Sequence, residues 1–290
     1  MGRSSLQYVP QPQQWLVKGD SVTNSVAVGQ MSLQARQGEF GVYWQFSPSD
    51  PGHRVWGLTD QHCLGSYFLA LSSDGSLAAF AGDPPVNLDL STQFWGMNGF
   101  SNGNWQAVVQ QDGNFCVYRA GAQGASWCVN TVVVDRGNFL IVSHVNDNGS
   151  VLYWRPPDWG KGLCIRDYPK GGKPLEPGMV WRKVDLVTPG GTYFVLFNQA
   201  ANGVAGGVPE QGGLVGTAQG IYDDTILILV DPGDARYRDW FGIRPVSGGN
   251  LHFNVAGDTY PDGTPVIMWP WSKSRTGDPL PNFIWQLHSV

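Results

Sequence analysis

The sequence predicts an all-β chain assembled from two different threefold repeats. Three observations carry that expectation. Only 14% of the 290 residues are charged, while Gly (39), Pro (20) and Trp (13) are abundant; that mix suits many short strands and turns better than long amphipathic helices. A unit made of Gly, a strand, a Gln/Asp-Gly core running to an aromatic, a loop and then Trp recurs three times, centred on Gln37, Asp74 and Asp112, which lie 37 and 38 residues apart. Past about residue 134 the rhythm changes to three longer segments, each opening with Gly and an apolar strand and closing with Trp.

In order, the first unit runs from Gly29 through Ala35-Arg36-Gln37-Gly38-Glu39-Phe40-Gly41-Val42-Tyr43 to Trp56. The second runs from Gly65 through Ser72-Ser73-Asp74-Gly75-Ser76-Leu77-Ala78-Ala79-Phe80 to Trp95. The third runs from Gly103 through Gln110 and Tyr118 to Trp127-Cys128-Val129-Asn130-Thr131. A hairpin with one apolar face cannot bury that face alone, whereas three copies can close around a shared axis filled by Trp56, Trp95 and Trp127. In the third unit, Gln110-Gln111-Asp112-Gly113-Asn114-Phe115-Cys116-Val117-Tyr118 alternates strictly. Period two puts Gln110, Asp112, Asn114 and Tyr118 along one side of one strand, a comb of a carboxylate, two amides and a phenol able to hold vicinal sugar hydroxyls.

This stretch resembles the Q-x-D-x-N-x-V-x-Y signature of the bulb-type (monocot mannose-binding) lectins, with Cys116 in place of the usual Val. The opening Leu16-Val17-Lys18-Gly19-Asp20-Ser21-Val22 is similar to that family's first segment. The resemblance implies a β-prism II over residues 1–134 and one mannose site. In it Asp112 and Asn114 would hold the 2-hydroxyl, Gln110 the 3-hydroxyl and Tyr118 the 4-hydroxyl, and Cys116 would pack on the ring carbons as a small hydrophobe. The equivalent positions Ala35, Gln37, Glu39 and Tyr43, and Ser72, Asp74, Ser76 and Phe80, have lost this set, and both sites are expected to be weak or dead for mannose.

Downstream, the segments open at Gly137-Asn138-Phe139, Gly191-Thr192-Tyr193 and Gly249-Asn250-Leu251 and close at Trp181, Trp240 and Trp285. Three unequal repeats of this kind suggest a barrel capped by three hairpins. Asn254-Val255-Ala256-Gly257, Gly263-Thr264-Pro265-Val266-Ile267-Met268-Trp269 and Asn282-Phe283-Ile284-Trp285 resemble the ricin B-type pattern. The resemblance implies a β-trefoil over residues 135–290. Trp269 stands at the ring-stacking aromatic and Asn282 at the site asparagine, but Asn254 replaces the sugar-binding Asp, and Ile267 and Phe283 replace two Gln. Trp269 and Trp285 read equally well as barrel core. Asp258, Tyr260, Asp262 and Trp271 offer an alternative polar and aromatic set, and Asn198-Gln199-Ala200-Ala201-Asn202-Gly203 is a loop of the same kind. The segment from Asn146 to Trp154 also fits a fourth copy of the first repeat; it goes to the trefoil, which otherwise lacks its first third.

A net charge of −5 without a Lys/Arg cluster argues against nucleic acid as a partner. No apolar run reaches membrane-spanning length, so no membrane insertion is expected. The opening Met1-Gly2-Arg3-Ser4-Ser5-Leu6-Gln7 has no hydrophobic signal core, and Leu6 breaks the myristoylation pattern, which points to the cytoplasm. Cys63, Cys116, Cys128 and Cys164 are too few and irregular for a disulfide scaffold. Four free thiols are expected, although Cys116 and Cys128 could face each other across neighbouring strands. The histidines (His53, His62, His144, His252, His288) are isolated, Asp223-Asp224 reads as a solvated turn, and no hydrolase, kinase or metal motif is present, so neither catalysis, metal nor cofactor is expected. Asn148-Gly149-Ser150 is a glycosylation sequon expected to be unused.

The reading that results is a non-catalytic lectin with glycans or glycoproteins as partners. One mannose-type site is expected in the first half, the trefoil could add a second specificity, and multivalency would come from homo-oligomerisation or from the trefoil. A cytosolic lectin of this kind would suit a defence role. The alternative is a protease inhibitor or interaction module that uses the trefoil loops.

Overall fold

The computed structural model describes residues 5–7 (backbone), 15–85, 89–154, 162–169, 171 and 173–290. The chain is all-β, a β-prism II followed by a β-trefoil. It divides into two compact units, one of residues 1–133 with 187–190, the other of 134–186 with 191–290.

The first unit contains β1 (Ser5–Gln7), β2 (Trp15–Val17), β3 (Ser21–Ser25), β4 (Gln30–Arg36), β5 (Glu39–Gln45), β6 (His53–Thr59), β7 (Tyr67–Leu71), β8 (Leu77–Ala81), β9 (Gln93–Gly96), β10 (Trp105–Val109), β11 (Phe115–Arg119) and β12 (Trp127–Cys128). They form three antiparallel four-stranded sheets, ordered β3-β4-β5-β6, β2-β7-β8-β9 and β1-β10-β11-β12. The opening segment of the chain thus supplies an edge strand to two of the sheets. Each sheet turns one face inward. Leu33 pairs with Val42, Leu69 with Ala79 and Ala107 with Val117, and all six are fully buried. Trp56 meets Trp95 at 5.7 Å and Trp127 at 5.5 Å between ring centroids, with Phe40 and Phe115 against them. The three tryptophans do converge on the axis, in the edge-to-face geometry aromatic rings prefer.

The polar stretch of the third unit is not one strand. Val109 pairs with Phe115, and Gln110 to Asn114 form the turn between β10 and β11, closed by Gln110 N–H to the Asn114 carbonyl (2.7 Å) and Gly113 N–H to the Gln110 carbonyl (3.1 Å). The Gln/Asp-Gly core common to the repeats is the reason. Gly38, Gly75 and Gly113 all have φ between 81° and 87°, a left-handed conformation that reverses the chain and that glycine adopts at least cost. A Cβ at Gly113 would also lie 2.6 Å from the Val133 side chain.

A second correction concerns the cysteines. Cys116 and Cys128 face each other on β11 and β12 and are joined by a disulfide; Cys63 and Cys164 are free and buried. Irregular spacing argued for free thiols, but the facing of Cys116 and Cys128 across neighbouring strands, the possibility the sequence left open, is what brings the two sulfurs together.

The second unit holds β13 (Val132–Ser143), β14 (Ser150–Trp154), β15 (Leu163–Asp167), β16 (Trp181–Thr188), β17 (Gly191–Asn198), β18 (Gly203–Gly207), β19 (Val215–Ala218), β20 (Leu227–Val230), β21 (Gly242–Pro245), β22 (Leu251–Val255), β23 (Val266–Pro270) and β24 (Trp285–Ser289). β13 pairs with β16 and β24, β16 with β17, β17 with β20 and β20 with β21. Phe241 and Trp285 exchange two backbone hydrogen bonds of 2.9 Å that join β21 to β24, so the six strands close into a barrel. The hairpins β14–β15, β18–β19 and β22–β23 cap it, tied to one another through bridges Gly162–Gly216, Cys164–Pro265 and Leu214–Ile267. The segment 146–154 is therefore part of the trefoil. The only α-helical segment among the described residues, Val145–Asn148, is a left-handed turn in which Asn146, Asp147 and Asn148 have positive φ.

The core gathers Leu152, Trp181, Phe194, Leu227, Phe253, Met268 and Trp285. Trp181 Nε1–H donates to the Leu152 carbonyl and Trp285 Nε1–H to the Phe253 carbonyl, both at 3.1 Å, so the first and last repeats share one device. The middle repeat does not close at Trp240. Its closing strand is β20, where Leu227 fills the core position. Trp240 is half-buried against His144 (4.7 Å), ahead of β21, which opens the third repeat.

Candidate functional site

At the third prism turn, Asp112 Oδ1 accepts from Asn114 N–H at 3.0 Å, which fixes the exposed carboxylate across its own turn. Among the described residues, Oδ2 has no partner. Asn114 Oδ1 accepts from the backbone N–H groups of Asn130 (3.0 Å) and Thr131 (3.3 Å), so its Nδ2 amide is the part left to donate outward. Gln110 Nε2 donates to the Tyr118 hydroxyl at 2.6 Å, which leaves that hydroxyl proton for a ligand. Gln110 Oε1 lies 3.3 Å from Cys116 Sγ. That sulfur is disulfide-bonded and carries no proton, so the approach is a contact and Oε1 stays an acceptor. Cys116 is 1% exposed and forms the floor below these groups.

The turn is anchored from behind. Val133 N–H donates to the Asp112 carbonyl (2.6 Å) and Thr131 Oγ1–H to the Gly113 carbonyl (2.9 Å). Asn130 and Thr131 are therefore positioning residues, which the sequence showed only as the tail of a repeat. The resulting array offers two acceptors, the Asp112 carboxylate and the Gln110 carbonyl, and two donors, the Asn114 amide and the Tyr118 hydroxyl. A sugar hydroxyl needs both, one group to take its proton and one to donate to its oxygen.

The two other turns are sealed. In the first repeat the turn is one residue shorter, since Arg36 pairs directly with Glu39 across Gln37-Gly38. Arg36 thus stands where Gln110 stands, and Ala35, expected at that place, points into the core. The Arg36 guanidinium lies 3.5 Å over the centre of the Tyr43 ring and donates to Gln34 (2.7 Å), while Arg54 holds Glu39 at 2.8 Å. Burial, with Glu39 nearby, pushes the Tyr43 phenol well above its ordinary range. In the second repeat, the Ser72 hydroxyl bonds Asp74 and approaches the Ser76 hydroxyl at 2.6 Å, and these bonds hold the Asp74 carboxyl below its usual value. Phe80, in place of a tyrosine, stacks on Phe68 at 5.2 Å. Of the three turns, only the third leaves a carboxylate, an amide and a phenol open together.

In the trefoil, Asn254 and Ile267 pair across β22 and β23, as do His252 and Trp269, on the face turned away from Phe253, Val255, Val266 and Met268 of the core. Trp269 is 38% exposed and so is not barrel core, whereas Trp285 is fully buried. Asn254 is buried, and its Nδ2 has no partner among the described residues. Asn282 Nδ2 donates to the Val255 carbonyl at 3.3 Å, which occupies one of its two donor hydrogens. Asn198 is a structural pin: its amide donates to the Gly178 and Val180 carbonyls and accepts from Ala201 N–H. Of the alternative set, the Tyr260 carbonyl binds Asn146, and Trp271 packs on His252 and Phe283.

Two groups escaped the sequence reading. Asp224, expected in a solvated turn, has a buried Oδ1 without a partner among the described residues, and burial raises its pKa with Asp223 adding to it. His252 is nearly fully buried. Neither has a sequence signature, because burial comes from distant segments. Among the described residues no group of three potential ligands could hold a metal. No helix there is long and apolar enough to cross a membrane.

Solved structures similar to the chain include a ricin B-like lectin from Macrolepiota procera in complex with lactose, 18% identical, covering 54% of this chain and 98% of that one with a TM-score of 0.39. A monocot mannose-binding lectin from Gastrodia elata is 18% identical over 44% of this chain and 96% of its own, with a TM-score of 0.33. The Polygonatum cyrtonema lectin, complexed with a monomannoside, is 23% identical over 42% and 96%, with a TM-score of 0.29. No protein-family model matches the chain, and no curated protein matches it.

Proposed function

We propose that the protein is a non-catalytic lectin whose residues 1–134 form a mannose-type binding domain and whose residues 135–290 form a ricin B-like trefoil domain. Asp112 accepts and Asn114 donates at one sugar hydroxyl, while Gln110 and Tyr118 take the next two along the ring. Cys116 serves through its disulfide as floor rather than as a thiol. The observation that carries the reading is the contrast among the three turns: each hairpin reverses at a left-handed glycine, and only Gln110–Tyr118 leaves a carboxylate, an amide and a phenol unsealed. A shallow single site of this kind binds a monosaccharide weakly, so useful avidity comes from several chains together or from the trefoil.

A glycan array of the intact protein beside Asp112→Ala tests this. Mannose-terminated glycans should bind the intact protein, and the variant should lose at least about tenfold in affinity, since a hydrogen bond to a charged group contributes about 1.5–3 kcal/mol. Mannose binding that survives the substitution, or its absence from both proteins, sinks the reading.

A further inference from the structure

Beside the Asn254–Trp269 face, the trefoil unit carries an open groove of ≈ 480 Å³, within the size range of small-molecule sites. Its lining brings together Asp231, Arg244, Asn250, His252, Trp271 and Lys273. The walls are built rather than loose. Arg236 pairs with both Asp234 and Asp278, which ties the loop after β20 to the loop after β23. A Cβ at Gly242 would meet the Trp271 ring at 2.6 Å, so the absence of a side chain there lets the indole close down.

The chemistry of the lining is selective. Arg244 uses one guanidinium nitrogen on the Gly249 carbonyl (2.9 Å) and keeps its other donors, and Lys273 is exposed beside it. Asp231 is the one carboxylate of the lining, and its Oδ1 accepts from Gly233 N–H at 2.7 Å. His252 is 3% exposed; its Nδ1 lies 3.0 Å from the Asn250 carbonyl and so carries the ring hydrogen. Nε2 is then a lone-pair acceptor, buried and without a partner among the described residues. A buried unpaired acceptor favours a ligand hydroxyl. Trp271, its ring centre 4.9 Å from that of the imidazole, adds an aromatic surface of the kind that packs against the C–H face of a sugar ring.

We propose that this groove binds a sugar carrying an anionic substituent, a carboxylate or a sulfate. Arg244 and Lys273 hold the anion, Trp271 packs on the ring and His252 Nε2 accepts a ring hydroxyl. The site is separate from the prism turn and does not depend on the mannose reading.

The test is calorimetric titration of the intact protein with glucuronic acid, N-acetylneuraminic acid and galactose 6-sulfate, beside glucose, galactose and inorganic sulfate. At least one anionic sugar should bind about tenfold more tightly than the neutral sugars and than sulfate alone. Lys273→Gln, at an exposed position that leaves the fold intact, and Arg244→Gln should each weaken it about fivefold or more, and Asp112→Ala should leave it unchanged. The proposal is overturned if none of the three anionic sugars binds, if neutral sugars or sulfate alone bind as tightly, or if neither charge-removing variant changes the affinity. Loss of binding in Asp112→Ala would move the ligand to the prism and also overturn it.

Discussion

His252 shows how burial changes a side chain that looked ordinary in the sequence. Burial, reinforced by Arg244 and opposed by the hydrogen bond to the Asn250 carbonyl, lowers its pKa to about 4. In the unfolded chain an imidazole titrates near its ordinary value of about 6.5. Below that pH the unfolded state takes up a proton that the native state refuses, so stability falls between about pH 6.5 and pH 4 and the loss levels off beneath. The loss amounts to about 3 kcal/mol at most. Urea unfolding at pH 7 and pH 4.5 should therefore show a larger drop for the native protein than for His252→Gln, since the carboxylates common to both cancel in the comparison; equal drops would mean that the imidazole titrates normally. Nothing in the sequence around His252 announces this, because the groups packed on it at Trp271 and Gly242 come from other parts of the chain.

At the scale of elements, the prism hairpins and the trefoil strands differ in how far they could be read in advance. The spacing of Gln37, Asp74 and Asp112 located all three hairpins. It misjudged where strand gives way to turn, because side-chain alternation carries straight through Gln110–Asn114 while Gly113 reverses the chain. A single missing residue, invisible without coordinates, moved Arg36 into the place assigned to Ala35. In the trefoil, counting tryptophans set the middle repeat's end at Trp240, although Leu227 holds the core position. The indole bonds mark what that leucine lacks. Trp285→Phe should cost about 1–3 kcal/mol in denaturant unfolding, because the buried Phe253 carbonyl is left unpaired; a smaller loss would show that the bond contributes little.

The β11–β12 pair is fixed in a different way. Its disulfide closes a loop with a sequence separation of 12, for which chain entropy predicts a contribution of about 2–3 kcal/mol. Reductant should lower the unfolding free energy by that amount. Thiol titration in denaturant should find two reactive cysteines rather than four, while Cys63 and Cys164 stay masked in the native protein. A disulfide of this kind persists in oxidising surroundings.

Over the whole molecule, threefold repetition was the legible feature and the fate of each copy was not. Period and composition were enough for an all-β chain of two threefold repeats, since each repeat must bury one apolar face against its sisters, while the prism and the trefoil were what the two resemblances implied. Whether a turn stays open depends on neighbours such as Arg54, Phe68 and Thr131, which no single motif contains. The barrel adds a consequence for biosynthesis. Phe139 on its first strand pairs with Ser289 on its last. During translation the seam stays unzipped until nearly the entire second half has left the ribosome, and until then β13 and β21 present bare edges. Closure of the trefoil is therefore long-range and slow, and a chaperone that shields those edges has its task set by how late β24 emerges.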